Sequence, residues 1–399
     1  MFLLKETSRN AFNNDMSERF KENYFRIFKM RLPHMDTAHT FLASLAAFEL
    51  EDLKAAFVAT LIEQKMFHKF RLLGQFYMVA IDGTGVSSYT TDDAEKTRLH
   101  KTSKNGTVTY SYYVVEAKLV TSSGFAISLA SEWVANQPHQ SFKKQDCEQR
   151  AFERLAIKLK KYFPRLPICL LADGLYPNKT FMKTCKDNDW QFVVVLKDDT
   201  LTTLQQDIKD VENKNRQSFA LYDVRPRERK EIATKYEWIA EPLSHGSHTV
   251  YWLGCTETIT TKDRDGKNPK QDITRFVYLS SIEVNKNNVR NLAKAGRMRW
   301  KIENEGFNTQ KNGGYNLGHK YARNSFTCYK NYYQLMQIAH LINQLVEQSE
   351  NIDQMLNASV NSKLTIKHIW KDMISIFKAG NIEQETLDNS ARTQIRMAT

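Results

Sequence analysis

Two short apolar runs, VAID at 79–82 and CLLAD at 169–173, each end in an aspartate, and a helical pattern lies between them. An apolar run of four to eight residues bounded by turn residues predicts a buried strand. Asp82 is followed by Gly-Thr-Gly, which predicts a turn, and Asp173 by GLYPN. VTYSYYVVEAKLVTSS and GFAISLASEWV are rich in β-branched and aromatic residues and predict two strands, with Ser122-Ser123-Gly124 as a hairpin turn. QDCEQRAFERLAIKLKKYF is amphipathic at helical spacing and stops at Pro164. KTFMKTCKDNDW predicts another helix and QFVVVLKDD another strand. Strand–helix–strand alternation at this spacing predicts an α/β sheet.

The flanking segments have other textures. Residues 1–73 place apolar residues three and four apart and predict helices. The α/β pattern fills 74–200. From 201 to 282, YDVRPRE, ATKYEWIAE, HTVYWLGCTETITTK and TRFVYLSS predict strands divided by polar turns, hence a β-rich insertion. Residues 283–378 are helical in pattern, and the tail 379–399 lacks apolar periodicity.

The charge balance points to a polyanionic partner. There are 57 Lys and Arg against 45 Asp and Glu, a net +12. Residues 286–330 concentrate the surplus, with Arg290, Lys294, Arg297, Arg299, Lys301, Lys311 and Lys320 among ten cations against only Glu303 and Glu305. Such a track suits the phosphates of double-stranded DNA. RLHKTSKNG at 98–106 predicts a basic loop between strands. The five cysteines form no CxxC pair, which argues against structural zinc or a disulfide framework and fits a reducing cytoplasm. The first residues carry too short an apolar run for a signal peptide, and no stretch is long and apolar enough to span a membrane.

The carboxylates carry the chemistry. Aspartates at the carboxyl ends of neighbouring strands share the place where α/β sheets bind ligands, although a single strand-end Asp also commonly caps a turn. A third acid comes from RMRWKIENEGFNTQKNGGY, a helical pattern stopped at Gly313-Gly314. At about 100° per residue, Glu303 and Glu305 point about 200° apart. Arg299, Trp300, Ile302, Gly306 and Phe307 flank Glu303, so Glu303 is the candidate to join the aspartates; exposed Arg299–Glu303 and Lys301–Glu305 pairs are the alternative. Three carboxylates around one point suit Mg²⁺, with Mn²⁺ as a substitute.

The set AIDGTGV, LLADGLYPNKTF and RWKIENEGFNTQKN, in this chain order across about 76–345, resembles the DDE transposases of bacterial insertion sequences, specifically the insertion-sequence-4-like group. That resemblance implies an RNase H-like catalytic core with a β-rich insertion between the second Asp and the Glu, an N-terminal helical end-recognition domain and C-terminal helices. It implies metal ligation by Asp82, Asp173 and Glu303, cleavage at terminal inverted repeats, and attack of the freed 3′-hydroxyl on target DNA. It further implies a homodimer in the DNA complex and a bacterial, nucleoid-associated cytoplasmic protein. The group's signature is Tyr, two residues, Arg, three residues, Glu, six residues, Lys. Arg299 and Glu303 fit it, whereas Gly296 stands at the Tyr position and Gln310 at the Lys position, with Lys311 one residue late. Trp238 and Trp252 are the candidates for the insertion-domain Trp that stacks a flipped base. A non-catalytic DNA-binding relative and a nuclease without strand transfer are the alternative readings.

Overall fold

The computed structural model describes residues 1–137, 144–263, 269–323, 325–358, 364–390 and 396–398. The α/β pattern forms strands β1 (Tyr77–Tyr89), β2 (Leu99–Thr102), β3 (Val108–Val120), β4 (Ala126–Val134), β5 (Ile168–Ala172) and β6 (Gln191–Val195). The β-rich segment adds β7 (Arg216–Arg225), β8 (Lys230–Ile239), β9 (Leu243–His245), β10 (His248–Thr261) and β11 (Lys270–Ser280). All eleven belong to one sheet, ordered β2-β3-β1-β5-β6-β11-β10-β8-β7, with β4 also on β3 and β9 on β10. β1, β5 and β6 run parallel, and β3 runs antiparallel to β1. The fold is therefore mixed α/β with a large sheet.

Alternation along the strands sorts side chains into two layers. Val79 and Ile81 of β1, with Leu170 and Ala172 of β5, face the helices Glu49–Glu63, Glu148–Tyr162 and Lys179–Asp187. Met78 and Ala80, with Cys169 and Leu171, face the other way, onto Leu292, Ala295, Ile302 and Phe307 of the segment that carries Glu303. The long helix Phe326–Glu347 closes a third apolar cluster with Val86, Tyr112 and Val114. Burial on both faces explains why β1 and β5 read as continuous apolar runs.

Three expectations are corrected. Gly83-Thr84-Gly85 does not turn: β1 continues to Tyr89, because these residues stay paired with Val115, Val114 and Tyr113 of β3. A register shift between Gly85 and Ser87 provides the bend that was read as a turn. Within 98–106, Leu99–Thr102 is strand β2, and Arg98 is buried, donating to the Thr91 and Arg323 carbonyls. The insertion opens on a helix, Thr202–Asn215, rather than on a strand. In the tail, of which 391–395 and 399 lie outside the described residues, a polar helix spans Gln384–Ser390, with Gln384 donating to Asp388 one turn on.

The insertion pairs with the core through β11 on β6 and packs closely against it at Gly296. A Cβ at Gly296 would lie 2.4 Å from Cε1 of the buried Tyr278 on β11. Glycine is therefore required where the helix Val289–Met298 crosses the sheet. Gly296→Ala is expected to lower stability by about 1–3 kcal/mol through overpacking, checked by denaturant unfolding. Unchanged stability would mean that the ring has room to move.

Candidate active site

The register of β1 and β5 puts the two aspartates just beyond the paired stretch of neighbouring strands. Ala80 pairs with Leu171, so the same register carried two residues further sets Asp82 opposite Asp173. Adjacent strands lie about 4.8 Å apart, within reach of a shared ligand. By alternation both side chains point to the face covered by the Glu303 segment. Asp173 begins a tight turn in which its carboxylate accepts the Leu175 N–H at 2.9 Å and its carbonyl the Tyr176 N–H at 3.1 Å. Lys197 Nζ lies 3.4 Å from Asp173 Oδ2, and Gly174 gives its stem passage: a Cβ there would be 2.5 Å from Lys197 Cγ.

Glu303 meets Asp82 through Arg299. The guanidinium Nη1 of Arg299 donates to Glu303 Oε1 at 2.7 Å and to Asp82 Oδ2 at 3.2 Å. Arg299 is largely buried, and its Nε has no hydrogen-bond partner. Glu305 instead pairs with Lys301. Both i,i+4 pairs thus form, but only the Glu303 pair touches an aspartate. Trp300 departs from expectation: it is 54% exposed rather than packed beside Ile302.

The directions of Gln310 and Lys311 have a structural cause. Ile302–Asn308 is a π-helical turn followed by a short α-helical end, Thr309–Asn312. A π turn holds an extra residue, so later side chains are displaced by one position relative to a continuous α-helix. Gln310 consequently turns inward, fully buried, and bonds Gln337 and His340. Lys311 turns outward on the Asp82 side and donates to Thr84 Oγ1 at 2.8 Å. Lys118, also fully buried, packs its stem against Gly306 and donates to Gln337 Oε1, which supports the π turn from behind.

The electrostatics are those of crowded acids. Burial pushes the Asp82 carboxyl up to about 7, against the pull of Arg299 and the Gly83 N–H; the charges of Glu303 and Glu148 push in the same direction as burial. Glu148 had no sequence signal. It opens the helix Glu148–Tyr162 and accepts the hydroxyls of Tyr113 (3.1 Å) and Tyr176 (2.7 Å). Burial, followed by the Glu148 charge, holds both tyrosines far above the normal phenol range, and Asp82 and Asp173 add to the effect. Only the fold could reveal these partners, because they come from β3, a helix start and the turn after Asp173.

The remaining basic residues have different surroundings. Arg290, Lys294 and Arg297 line a cleft of about 300 Å³ shared with Asp223, Arg225 and Glu257 of the insertion. Arg297 is bonded to Glu257 there at 2.9 Å. Lys301 is held by Glu305, and Lys320 lies over the Tyr89 ring at 4.8 Å. Trp238 and Trp252 are both buried in the sheet layers and present no free face.

Hard carboxylate oxygens are the right donors for Mg²⁺. Among the described residues, no three His, Cys, Asp or Glu side chains already form a metal-holding group. Protein cations instead sit on these carboxylates: Arg299 on Asp82 and Glu303, and Lys197 on Asp173. The donor atoms are of the right chemical type, but in this structure the carboxylates are paired with protein cations rather than gathered around one point.

The raised Asp82 pKa has a definite sign. Protonation is stronger in the folded chain than in the unfolded one, so its stabilising contribution is full below about 4 and is lost as pH rises through about 7. Asp82→Asn, which is neutral throughout, is therefore expected to gain Tm relative to the parent by more at pH 8 than at pH 5. The measurement is thermal melting in chelator-treated buffer; an equal difference at both pH values would remove the assigned burial effect.

No protein-family model matches the chain, and no curated protein matches it. Among solved structures, the chain is similar to the cryo-EM structure of a piggyBac transposase synaptic complex with hairpin DNA, at 10% identity and a TM-score of 0.36. The match covers 80% of this chain, and the chain spans 57% of the length of that one.

Proposed function

We propose that this chain is a DNA transposase of the DDE type, most similar in its motifs to the insertion-sequence-4-like group. The observation that carries the reading is the meeting of Asp82 and Glu303 on Arg299, beside an Asp173 set by strand register against Asp82. The strand order β4-β3-β1-β5-β6, with β1, β5 and β6 parallel, supports an RNase H-like core. Cleavage of the element's terminal inverted repeats and joining of the 3′-hydroxyl to target DNA, by a homodimer on the DNA, complete the proposal.

Asp82, Asp173 and Glu303 are the residues that would hold Mg²⁺, or Mn²⁺ in its place. Bound there, two such ions activate the attacking oxygen and stabilise the leaving oxygen of a phosphodiester. The chain's own groups supply the positioning. Arg299, which bonds Asp82 and Glu303, would be free to hold a phosphate oxygen beside them if a cation took its place on the carboxylates. Lys311, which donates to the Thr84 hydroxyl two residues past Asp82, offers a second phosphate contact. Arg290, Lys294 and Arg297 offer a separate patch near the insertion, with Lys301 and Lys320 outside it.

The test is cleavage of end-containing duplexes with Mg²⁺, Mn²⁺ or chelator. Asp82→Ala, Asp173→Ala and Glu303→Ala are expected to abolish cleavage while retaining DNA binding, and Glu305→Ala to retain substantial cleavage. Full activity in chelator, or a dead Glu305→Ala beside an active Glu303→Ala, refutes the assignment. Nicking with no joined product leaves a nuclease instead.

The cation roles separate by salt. Arg290→Ala is expected to reduce the slope of log affinity against log salt by about 0.9 on duplex DNA, with little effect on cleavage at saturating protein. Arg299→Ala is expected to slow cleavage of saturated DNA more than it weakens binding. Salt titration of binding and single-turnover cleavage check both; an unchanged slope for Arg290→Ala removes that residue from the interface.

A further inference from the structure

We propose that Lys118 is a positioning residue: from inside the core it fixes the π-helical register of Ile302–Asn308, and so decides that Lys311 rather than Gln310 stands on the Asp82 side. That Lys311 then contacts DNA rests on the function proposed above; the positioning does not.

On an α-helix, seven steps of about 100° bring a side chain back to the starting face. The residue seven after Glu303 is Gln310. The extra residue of the π turn passes that face to Lys311, which is exposed and bonds Thr84, while Gln310 is fully buried. The π turn is the rarer state of a helix, so its surroundings must favour it. Lys118 lies on β3 opposite Ala80, in the layer that packs against this turn. A Cβ on Gly306 would lie 3.2 Å from its Cδ, and its ammonium lies 5.8 Å from the centre of the Phe307 ring.

The hydrogen bonds run in one direction. Burial lowers the Lys118 ammonium to about 8, against the pull of Glu116, which leaves it charged at neutral pH. A charged ammonium only donates, so Gln337 must turn its oxygen toward it, at 2.7 Å. With that oxygen fixed, the Gln337 amide nitrogen donates to Gln310 Oε1 at 3.2 Å, and Gln310 Nε2 donates back to Gln337 Oε1 at 2.8 Å. Gln310 Nε2 also donates to His340 Nδ1 at 2.9 Å; burial holds His340 far below its ordinary value, hence neutral and able to accept. Turning Gln310 outward would leave these buried groups unpaired. The helix Phe326–Glu347 is built for this contact. Tyr333, Gln337, His340 and Gln344 recur at steps of four, three and four, and place polar groups on a buried face that would ordinarily be apolar. Tyr333 bonds Glu116, which lies 3.4 Å from Lys118, and Gln344 accepts the Ala126 N–H. Apolar side chains of like volume are commonly as stable as a buried ion pair, so stability alone does not call for these charges.

The test is hydrogen–deuterium exchange of the full chain, read by mass spectrometry without DNA or metal. Lys118→Met/Glu116→Gln removes the buried pair and leaves neither charge alone. It is expected to speed exchange across 302–312 by about tenfold, the factor that one buried hydrogen bond provides, while β1 and β5 exchange as in the parent. A general loss of stability would instead speed both alike. Acylation of the Lys311 amine, released from Thr84, is expected to rise in the same variant to its level in Thr84→Val. Glu116→Gln alone keeps the Lys118–Gln337 bond and is expected to exchange like the parent across 302–312. Parent-like exchange in the double variant, equal acceleration throughout the sheet, or an unchanged Lys311 amine overturns the positioning role. So does a Glu116→Gln effect as large as that of the double variant, which would assign the turn to the carboxylate. If the double variant does not fold, Gln337→Met decides, because it removes the acceptor shared by Lys118 and Gln310 and changes no charge: acceleration confined to 302–312 supports the role, and parent-like exchange overturns it. Failure of the parent to cleave end-containing duplexes removes the phosphate role of Lys311 and not the role of Lys118, since exchange is read without DNA.

Discussion

The parallel pairing of β1 with β5 is the constraint on which the rest depends. Both strands are buried on both faces, so every side chain along them must be apolar or be met by a partner. Charge can enter only at the carboxyl end, where the covering layers part. Asp82 and Asp173 each lie two residues past the last β1–β5 pair, Asp82 within β1 and Asp173 just after β5, and the alternation that buries Met78, Ala80, Cys169 and Leu171 against the Glu303 segment aims both acids toward it. The geometry of the site is thus a consequence of how the apolar residues before each aspartate are packed.

Arg299 resolves the cost of bringing these acids together. Asp82 is substantially desolvated, and burying an unpaired carboxylate is unfavourable by several kcal/mol. One guanidinium nitrogen serves two carboxylates, while its buried Nε is left without a partner. Lys197 holds Asp173 more loosely and from a more exposed position.

Much of this was legible in the chain. Apolar runs ending in Asp marked β1 and β5, and the β-rich stretch between the second aspartate and the glutamate formed strands; both depend on local periodicity. The helical-face argument did not anticipate that Glu303 is the more exposed of the two glutamates, on a π turn. What was hidden depends on contacts between distant segments. The length of β1 past Gly85 follows from pairing with β3, which glycines alone would not suggest. The π turn, which brings Lys311 rather than Gln310 to Thr84, is stabilised by a buried network of Lys118, Gln310, Gln337 and His340 from three elements. Glu148 carried no signal in the sequence, and Trp300, which flanks Glu303 on the apolar arc, is exposed, because neither partners nor exposure is encoded in spacing.

The insertion is coupled to the site more tightly than a separate lobe would be. β11 pairs with β6 through Tyr278–Ser280, so its strands continue the sheet that carries the aspartates. The Tyr278 ring fills the space that a side chain at Gly296 would need, one helical turn before Arg299. Arg297 ties the same helix to Glu257 on β10. A side chain at 296 could not reach the acids while that ring is in place, and a change in the pose of β10 and β11 would be transmitted to the helix through a packed ring and an ion pair. The position of Glu303 is therefore fixed from two sides: by the buried network behind the π turn, and by the insertion strands beneath the helix that leads into it.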